Sequence, residues 1–493
     1  MVLKKDKLVY LAGTFATAIV CGLWSLGLFY EWGSDFGLYY AGAYFLDNDY
    51  RLYQEFFDHK GPCYYIFIKF ISFFIGWGFQ HSAVVLFSSV FIFYIAFIYI
   101  LIKEGVKGRL FLICISLSLL FLHIQSTNAS IAFFLSALLI TSLYFLVRGK
   151  GAKGFLISVF FYSLAIYTRI DTLIFFPVFL IGGYRNLSLR GIQNKLFTFI
   201  ALAIPGITLM LMATYLNFSI SQFYLANIEF NNWYGSKSLG AWLYRPFHLG
   251  LLLQSMILIP FITLGNQKYS YLIIYKEFKD HGLKLGLEKY YTQVILLLIL
   301  MLSIVGLLIA GSDKDYYALI LMAPLLFLIA LGARDVFNGT ISGSVFMLIV
   351  LYSTVLLIYP YVKKLKDNPE CLSDHFCTAS PLSLYEEDLL SISGYKDYAI
   401  VGGRGWTYLY LDRKPNRTIN DWWIYYRNEA FLTPELLEQS EDLLSKSEGF
   451  PIYIDNDLLS NLSKRTPEFH KLLSRASFQE RFQRYSLYKL KGG

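Results

Sequence analysis

The stretch that decides the fold is EWGSDFGLYYAGAYFLDNDYRLYQEFFDHKGP, residues Glu31–Pro62. It follows a long, mostly apolar run and mixes carboxylates and a lysine with many tyrosines and phenylalanines. A loop in water would expose these apolar aromatic side chains, and a membrane-spanning segment would bury these charged side chains, so the stretch fits neither. We therefore predict that this stretch lies at a membrane boundary, where aromatic side chains and charges occur together. The charged residues on which this depends include Asp35, Asp47, Asp49, Asp58 and Lys60.

The composition excludes an ordinary soluble protein. Of 493 residues, 56% are hydrophobic and 16% are charged, and several runs reach the roughly 18 to 20 apolar residues that a membrane-spanning helix needs. The net charge of +8 does not indicate a nucleic-acid partner, because the Lys and Arg residues form short clusters between apolar runs. The first apolar run lacks a small-residue cleavage site, so we expect a helix that is retained rather than a signal peptide.

The sequence predicts a mainly α fold: a polytopic transmembrane helical bundle of about 11 spans, with interfacial helices on the outer face and a small C-terminal extracytoplasmic α/β domain. The predicted spans are Leu8–Tyr30, Ser82–Ile102, Leu110–Gln125, Ile131–Val147, Phe155–Tyr167, Thr172–Gly183, Leu196–Tyr215, Phe247–Leu264, Val294–Ala310, Tyr317–Leu331 and Ser342–Tyr359.

The segment Pro62–Gly78 is nearly as apolar as these spans, but we predict that it does not cross. If it lies flat, most Lys and Arg residues of the short loops fall on the side of the N-terminus, as the positive-inside rule requires. A crossing would invert every later cluster, unless another span were lost. It would also place Lys69 near the membrane centre, at a cost of about 2.5 to 3.5 kcal/mol on insertion scales. We expect Lys69 to reach water from the flat helix.

The chain is predicted to divide into residues 1–360, which contain the first outer loop 31–81, and residues 361–493, which follow a Lys-rich linker. In the second part, DYAIVGG, FPIYIDN and RYSLYKL are typical of strands, TPELLEQSEDLLSKS is typical of a helix, and GGRGW is a structural turn. With a cytoplasmic N-terminus, the span count places this part outside the cytoplasm. Cys371 and Cys377 lie within it, and the sequence leaves open whether they form a disulfide or remain free thiols.

The first outer loop has an internal pattern of its own. Ser34 is suited to cap a helix that starts at Asp35, and Asp35, Tyr39 and Gly42 would share one face of an amphipathic helix on the membrane surface. The pattern SDFGLYYAGAYFL followed by DHKGP resembles the first extracytoplasmic loop of GT-C membrane glycosyltransferases, in the branch of the protein mannosyltransferases and lipid A aminoarabinose transferases. GSDKDYYALILMAPLL is similar to a late span of the same family, and the small α/β tail fits it as well.

The resemblance implies transfer of a sugar, with inversion, from a polyprenyl-phosphate donor to a lipid, glycan or protein acceptor at the outer face. It implies an enzyme, a hexosyl- or pentosyltransferase. A carboxylate at the interface can deprotonate an acceptor hydroxyl, and a cation can stabilise the leaving phosphate. Asp35 is the predicted base and Lys60 the predicted phosphate partner, with Asp58 orienting Lys60 or the acceptor. Arg169 either contacts phosphate or pairs with Asp171.

Each of these assignments has a structural alternative. Asp35 is also a favourable acid at a helix start, and Lys60 is also suited to anchor the chain at the interface. Asp313, Asp315 and Tyr316 are candidate supporting or acceptor-binding residues, and the alternative for them is a wet loop with belt tyrosines. No cofactor is predicted, and no metal site, because the loop QSTNAS lacks the carboxylate that related enzymes often carry there.

Two other functions remain open at this point. A surface-polysaccharide polymerase or ligase also joins lipid-linked sugars, and it often depends on Arg-rich outer loops, which this sequence lacks. A lipid-linked-sugar flippase or transporter would place charged residues inside its spans, whereas here the charges collect between them. The predicted partners are the polyprenyl-phosphate sugar donor, an acceptor and membrane lipid, with no nucleic acid. The predicted location is a bacterial inner or plasma membrane.

Overall fold

The computed structural model describes most of residues 2–229 and shorter stretches beyond them. The described ranges are 2–27, 34–47, 51–53, 60–77, 79–106, 130–149, 151–188 and 192–229, with parts of 111–118, single residues and short stretches of 279–330, and parts of 399–490 that contain five strands.

The first 229 residues form helices of very different length. Numbered along the chain, they are α1 Val2–Gly27, α2 Ser34–Asp47, α3 Pro62–Ile75, α4 Phe79–Lys103, α5 Ser130–Arg148, α6 Gly151–Ile166, a 3₁₀ helix Ile170–Phe175, α7 Phe176–Ser188, α8 Ile192–Leu216, α9 Ile220–Tyr224 and a π-helical turn Leu225–Glu229.

Among the described residues, four helical stretches have the length and apolar character needed to cross a membrane. They are His81–Lys103, Ile131–Arg148, Ile170–Leu187 and Ile192–Leu216. Each overlaps a predicted span. The third differs in detail, because its first turn is a 3₁₀ helix and the α-helix begins at Phe176, directly before Pro177. Proline fits the first turn of a helix, where its missing N–H costs no hydrogen bond. Several other predicted spans, among them Phe247–Leu264 and Ser342–Tyr359, lie outside the described residues.

Helices α1 and α4 pack against each other and run in opposite directions. The Tyr10 hydroxyl, in the first half of α1, donates a 3.0 Å hydrogen bond to the carbonyl oxygen of Val106, just after α4 ends. The start of α1 therefore lies beside the end of α4. It follows that the end of α1 and the start of α4 lie together at the opposite end of the bundle.

The predicted basic clusters meet at the end of the bundle that holds Tyr10 and Val106, which we call the basic end. Arg148 binds Glu104 through two hydrogen bonds, of 2.9 and 3.0 Å, and so joins the end of α5 to the end of α4. The guanidinium of Arg185 lies 4.0 Å from the ring centroid of Tyr291, whose hydroxyl donates to the carbonyl of Leu146. The opposite end, which we call the distal end, holds α2 and α3.

A tight hairpin of α5 and α6 forms the centre of the bundle. Ser142 and Ser158 each donate a 2.7 Å hydrogen bond to the carbonyl oxygen of the other. A β-carbon on Gly149 would lie 2.7 Å from the Cα of Gly154, and one on Gly154 would lie 2.5 Å from the Cα of Gly149. Small residues at both positions let the two backbones meet at the turn, as in other membrane helix pairs.

Most described side chains of helix α2 are buried, and Asp47 at its end is exposed. Phe36, Tyr39 and Tyr40 are at most 2% exposed, and the Tyr40 hydroxyl lies 2.7 Å from Nδ1 of His81 in α4. The prediction of an amphipathic helix is therefore wrong for the side chains that the structure describes, because both predicted faces are buried. The ring of Tyr39, which the sequence analysis placed on one face with Asp35, is buried, and the hydroxyl contact of Tyr40 lies inside the protein.

Helix α3 has one buried face and one exposed aromatic face. Phe70, Phe73 and Phe74 are 61%, 84% and 67% exposed. Lys69 does not reach water as predicted, because its side chain is only 11% exposed and its Nζ lies 3.5 Å from Asp47.

The contacts of Lys69 join three helices. Its ammonium donates a 3.1 Å hydrogen bond to the carbonyl oxygen of Leu46 at the end of α2 and lies 5.1 Å from the ring centroid of Tyr215 in α8. A cation at a helix C-terminus is favourable, because the last carbonyl groups lack helical partners. The second carboxylate oxygen of Asp47 accepts a 2.8 Å hydrogen bond from the Trp77 indole.

The five strands near the C-terminus form one sheet in the order β2-β1-β3-β5-β4. They are β1 Ala399–Val401, β2 Arg417–Ile419, β3 Pro451–Asp455, β4 Ala476–Arg481 and β5 Tyr485–Leu490. Strand β1 is parallel to β2 and β3, whereas β5 is antiparallel to β3 and β4. The sequence analysis identified β1, β3 and β5. It missed β2 and β4, the two edge strands, of which β4 is largely exposed and polar as edges tend to be.

Candidate functional site

The site is built on a backbone joint between the start of α3 and the turn after α6. The N–H of Gly61 donates a 3.2 Å hydrogen bond to the carbonyl oxygen of Thr168, and the N–H of Cys63 donates a 2.8 Å bond to that of Tyr167. Two N–H groups of the first turn of α3, which have no partner inside the helix, are thereby satisfied. Pro62 occupies the first helical position, where no N–H is needed.

Only a glycine fits at the centre of this joint. A β-carbon on Gly61 would overlap the carbonyl oxygen of Tyr167, and both atoms belong to backbones that are fixed by hydrogen bonds. The joint is also closed to water, since Cys63 is buried and burial raises the pKa of its thiol to about 12, against a small opposing effect of the Thr168 hydroxyl. The glycine of DHKGP is therefore a condition for close approach of the two segments.

Lys60 and Arg169, the two predicted phosphate-binding cations, lie on either side of the joint. Each is one residue away from a partner of the Gly61–Thr168 hydrogen bond, and each is only 6% exposed. Buried cations are costly unless anions or dipoles accompany them. Arg169 donates a 2.5 Å hydrogen bond to Asp171, whose side chain is 41% exposed, so the alternative of a pair between these two residues is confirmed.

The turn that carries Arg169 is held by several further hydrogen bonds. The Arg169 N–H donates to the carbonyl of Ala165 at 2.9 Å, and the Arg169 carbonyl accepts from the hydroxyl of Thr172 at 2.8 Å. Thr172 in turn presents its carbonyl to the hydroxyl of Tyr162. The backbone of Arg169 is therefore fixed by the end of α6 and by the start of the 3₁₀ helix together.

The packing of α2 along α3 places the backbone of Asp35 in the same region. The ring of Tyr39 contacts those of Tyr64 and Tyr65, with centroids 5.7 and 6.4 Å apart, whereas the end of α2 reaches Lys69. The two helices therefore run in the same direction, with their first turns side by side. Asp35 lies one turn before Tyr39, and Lys60 lies one turn before Tyr64, so the backbone of Asp35 belongs to the distal-end region that holds Lys60.

The region has two sources of positive charge, of which the side chain of Arg169 is partly neutralised by its pair with Asp171. It contains the side chains of Lys60 and Arg169, and it lies at the N-terminal ends of α2 and α3. A helix N-terminus carries a partial positive charge of roughly half an elementary charge. Two such ends and two cations form a favourable environment for a phosphate and for the carboxylate form of an acid.

An aromatic cluster that the sequence analysis missed covers the joint. The ring of Tyr53 contacts Phe218 and Phe223, at centroid distances of 5.2 and 6.0 Å, and the ring of Tyr167 contacts Phe223 at 5.9 Å. The Tyr53 hydroxyl donates a 2.8 Å hydrogen bond to the carbonyl oxygen of Lys60. Nothing local in the sequence distinguishes Tyr53 from the many other tyrosines of the loop, because its partners are far along the chain.

The remaining predicted site residues, Asp58, Asp313, Asp315 and Tyr316, lie outside the described residues. Within the part of the chain that the structure describes, no group of three or more His, Cys, Asp or Glu residues is arranged to hold a metal ion. His59, which adjoins Lys60, also falls outside that part.

No protein-family model matches the sequence, and the sequence comparison with curated proteins gives no match. The three-dimensional structure, in contrast, is similar to solved structures. ArnT from Cupriavidus metallidurans bound to undecaprenyl phosphate is similar with a TM-score of 0.53 and 12% sequence identity, over 97% of this chain and 97% of that chain. ArnT from the same organism in the apo state gives a TM-score of 0.51 and 11% identity, over 99% and 98% of the two chains.

An oligosaccharyltransferase from Archaeoglobus fulgidus, tethered with an acceptor peptide, covers 97% of this chain and 74% of its own, with 12% identity and a TM-score of 0.45. That score is too low to support an inference. At 11% and 12% identity the two ArnT structures show the fold alone. They confirm the resemblance to the GT-C fold that the first outer loop predicted.

Proposed function

We propose that the protein is a membrane glycosyltransferase that moves a sugar from a polyprenyl-phosphate donor to a lipid, glycan or protein acceptor at the outer membrane face. One observation carries the proposal: the joint at Gly61 brings Lys60 and Arg169 together beside the helix start that bears Asp35. Sequence patterns alone predict these three residues for this chemistry. The ArnT structure with undecaprenyl phosphate supports the class of donor, because the two chains share a fold.

The proposed reaction is a direct displacement with inversion. The carboxylate of Asp35 takes the proton from the acceptor hydroxyl, and the acceptor oxygen forms a bond to the anomeric carbon of the donor. The bond between that carbon and the phosphate oxygen breaks, and the leaving polyprenyl phosphate gains one negative charge. Lys60 and Arg169 stabilise that charge in a site from which water is largely excluded, where electrostatic contacts are stronger than in water.

The described geometry supports placement of α2 and α3 at the membrane interface. Both helices have 14 residues and are about 21 Å long, which is too short for a hydrocarbon core of about 30 Å. They run in the same direction, so they do not form a crossing and a return. The exposed phenylalanines of α3, among them Phe73, would then enter the lipid, and Lys60 would lie at the depth of the donor phosphate.

The proposed topology follows from the two ends of the bundle. The basic end would be cytoplasmic, with the N-terminus, and the distal end would face outward, as positively charged loops favour the cytoplasmic side. We propose residues 1–360 as the membrane domain and residues 361–493, with the five-stranded sheet, as an extracytoplasmic α/β domain. The corresponding membrane would be a bacterial inner or plasma membrane.

A transporter is less well supported by the described spans. Their charged residues lie close to the span ends: Lys103, Arg148, Asp171, Arg185 and Lys195. A path for a charged sugar phosphate would need polar groups at mid-span.

Transfer by the purified protein in lipid vesicles tests the proposal. Undecaprenyl-phosphate sugars would be supplied as donors, with extracted envelope glycolipids, glycans or proteins as acceptors, and products identified by mass spectrometry. We expect a glycosylated product and free undecaprenyl phosphate in equal amounts, both strongly reduced in Lys60→Met at low donor concentration. Absence of any transfer that depends on Lys60, across the available donors and acceptors, would contradict the proposed function.

A further inference from the structure

Tyr53 is a buried residue in a strained backbone conformation. Its side chain is 3% exposed and its φ is +65°, in the left-handed region. A large side chain is unfavourable there, so the surrounding contacts must stabilise the conformation. Strained residues of this kind are concentrated at functional sites, where the neighbouring structure holds them. The contacts of Tyr53 therefore indicate what the conformation is for.

The hydroxyl of Tyr53 completes the fixation of one peptide group. The peptide between Lys60 and Gly61 offers a carbonyl on one edge and an N–H on the other. The carbonyl accepts the 2.8 Å hydrogen bond from Tyr53, and the N–H donates the 3.2 Å bond to Thr168. A planar group that is bound at both edges is restrained from rotating, and the Lys60 Cα, which lies in its plane and carries the side chain, is restrained with it.

The ring of Tyr53 connects this peptide to the outer segment that follows α8. Phe218 and Phe223 both pack edge-on against it, with interplanar angles of 76° and 68°. Phe223 is 5% exposed and also contacts Tyr167, whose carbonyl belongs to the joint. Phe218 and Phe223 of this segment therefore pack against the same tyrosine whose hydroxyl binds the Lys60 carbonyl.

We propose that Tyr53 is a positioning residue that fixes the Lys60–Gly61 peptide and so directs the Lys60 ammonium toward the donor phosphate. The packing of Phe218 and Phe223 on its ring makes this direction depend on the outer segment. The inference rests on the proposed function, because it assigns Tyr53 a role through Lys60. Tyr53 itself contacts neither the acceptor nor the phosphate.

The test compares Tyr53→Phe with the wild-type protein in lipid nanodiscs. Phenylalanine keeps the ring and its packing and removes only the hydroxyl. We expect the dissociation constant for undecaprenyl phosphate to rise about threefold to tenfold, as for loss of one hydrogen bond between neutral groups. The thermal unfolding midpoint should change by no more than about 2 °C. Tyr94→Phe is the matched control, because the Tyr94 hydroxyl donates a buried 2.7 Å hydrogen bond to the carbonyl of Ser118 in another part of the bundle.

A double variant distinguishes positioning from a general structural effect. If Tyr53 acts through Lys60, Tyr53→Phe should weaken binding no further once Lys60 is replaced by Met. An additive loss in the double variant, or an equal loss in Tyr94→Phe, would overturn the inference. Unchanged binding in Tyr53→Phe together with weakened binding in Lys60→Met would overturn it too, and would leave the proposed function standing. Undecaprenyl phosphate binding that does not depend on Lys60 would overturn both.

Discussion

Gly61→Ala tests whether the joint between α3 and the turn after α6 creates the site. The added methyl group would overlap the carbonyl oxygen of Tyr167, and neither backbone can yield without loss of the hydrogen bonds from Gly61 and Cys63. Two backbone hydrogen bonds contribute about 1 to 3 kcal/mol together, and overpacking costs about 1 to 3 kcal/mol. These two costs are alternatives, because an open joint loses the hydrogen bonds and a closed joint keeps the overlap. Since the added carbon would overlap a backbone oxygen, we expect the joint to open.

The opened joint should separate Lys60 from Arg169. A hydrogen bond to a charged group contributes about 1.5 to 3 kcal/mol, so loss of one cation from the donor phosphate corresponds to a transfer rate about 10- to 150-fold lower. The assay is sugar transfer in vesicles. Alkylation of Cys63, located by mass spectrometry, reports the joint itself, because the buried thiol with its pKa of about 12 should be unreactive in the wild-type protein and reactive in the variant.

Gly206→Ala provides the matched control. Gly206 lies in α8, and a β-carbon placed there meets no atom within 4 Å. This variant should retain transfer and an unreactive Cys63, with unchanged or slightly raised stability. If Gly61→Ala keeps both full transfer and an unreactive Cys63, the joint does not organise the site and the reasoning is refuted.

Two further predictions concern the two lysines and the topology. Lys60→Met should raise the KM for the donor about tenfold or more at nearly unchanged stability. Lys69→Met should change the KM little and should lower the thermal unfolding midpoint, because it removes the contacts with Leu46 and Asp47. Kinetics and thermal scans of both variants check this, and equal KM effects would contradict it. Reporter fusions after Lys107 and after Lys366 should report opposite compartments, and the same compartment at both points would contradict the proposed span count.

The general fold could be predicted from the sequence, because its signals are local. Apolar runs mark the helices, and clusters such as the one that includes Arg148 mark one end of the bundle. The two cations of the site were also identified from local patterns, DHKGP for Lys60 and YTRIDT for Arg169. Their proximity was not predicted, because it depends on hydrogen bonds between residues more than 100 positions apart.

The environment of single side chains could not be predicted in the same way. Tyr39 was expected beside Asp35 on one face of a surface helix and is buried, and Lys69 was expected in water and pairs with Asp47. Tyrosine and lysine have long apolar parts with a polar tip, so their residue type fits both a surface and an interior with a partner. Only the tertiary structure supplies the partner. The left-handed conformation of Tyr53 likewise leaves no trace in the sequence pattern.

The most direct test of the central claim is the transfer rate of Asp35→Asn, measured at saturating donor, alongside binding of undecaprenyl phosphate to the same preparation. Asparagine keeps the size of the side chain and remains acceptable at a helix start, with a change of about 1 kcal/mol or less. It cannot take the proton of the acceptor hydroxyl at neutral pH, so transfer should fall about 10²- to 10⁴-fold while binding through Lys60 and Arg169 stays within about a factor of two. Near-normal transfer by a folded, donor-binding Asp35→Asn protein would contradict the account.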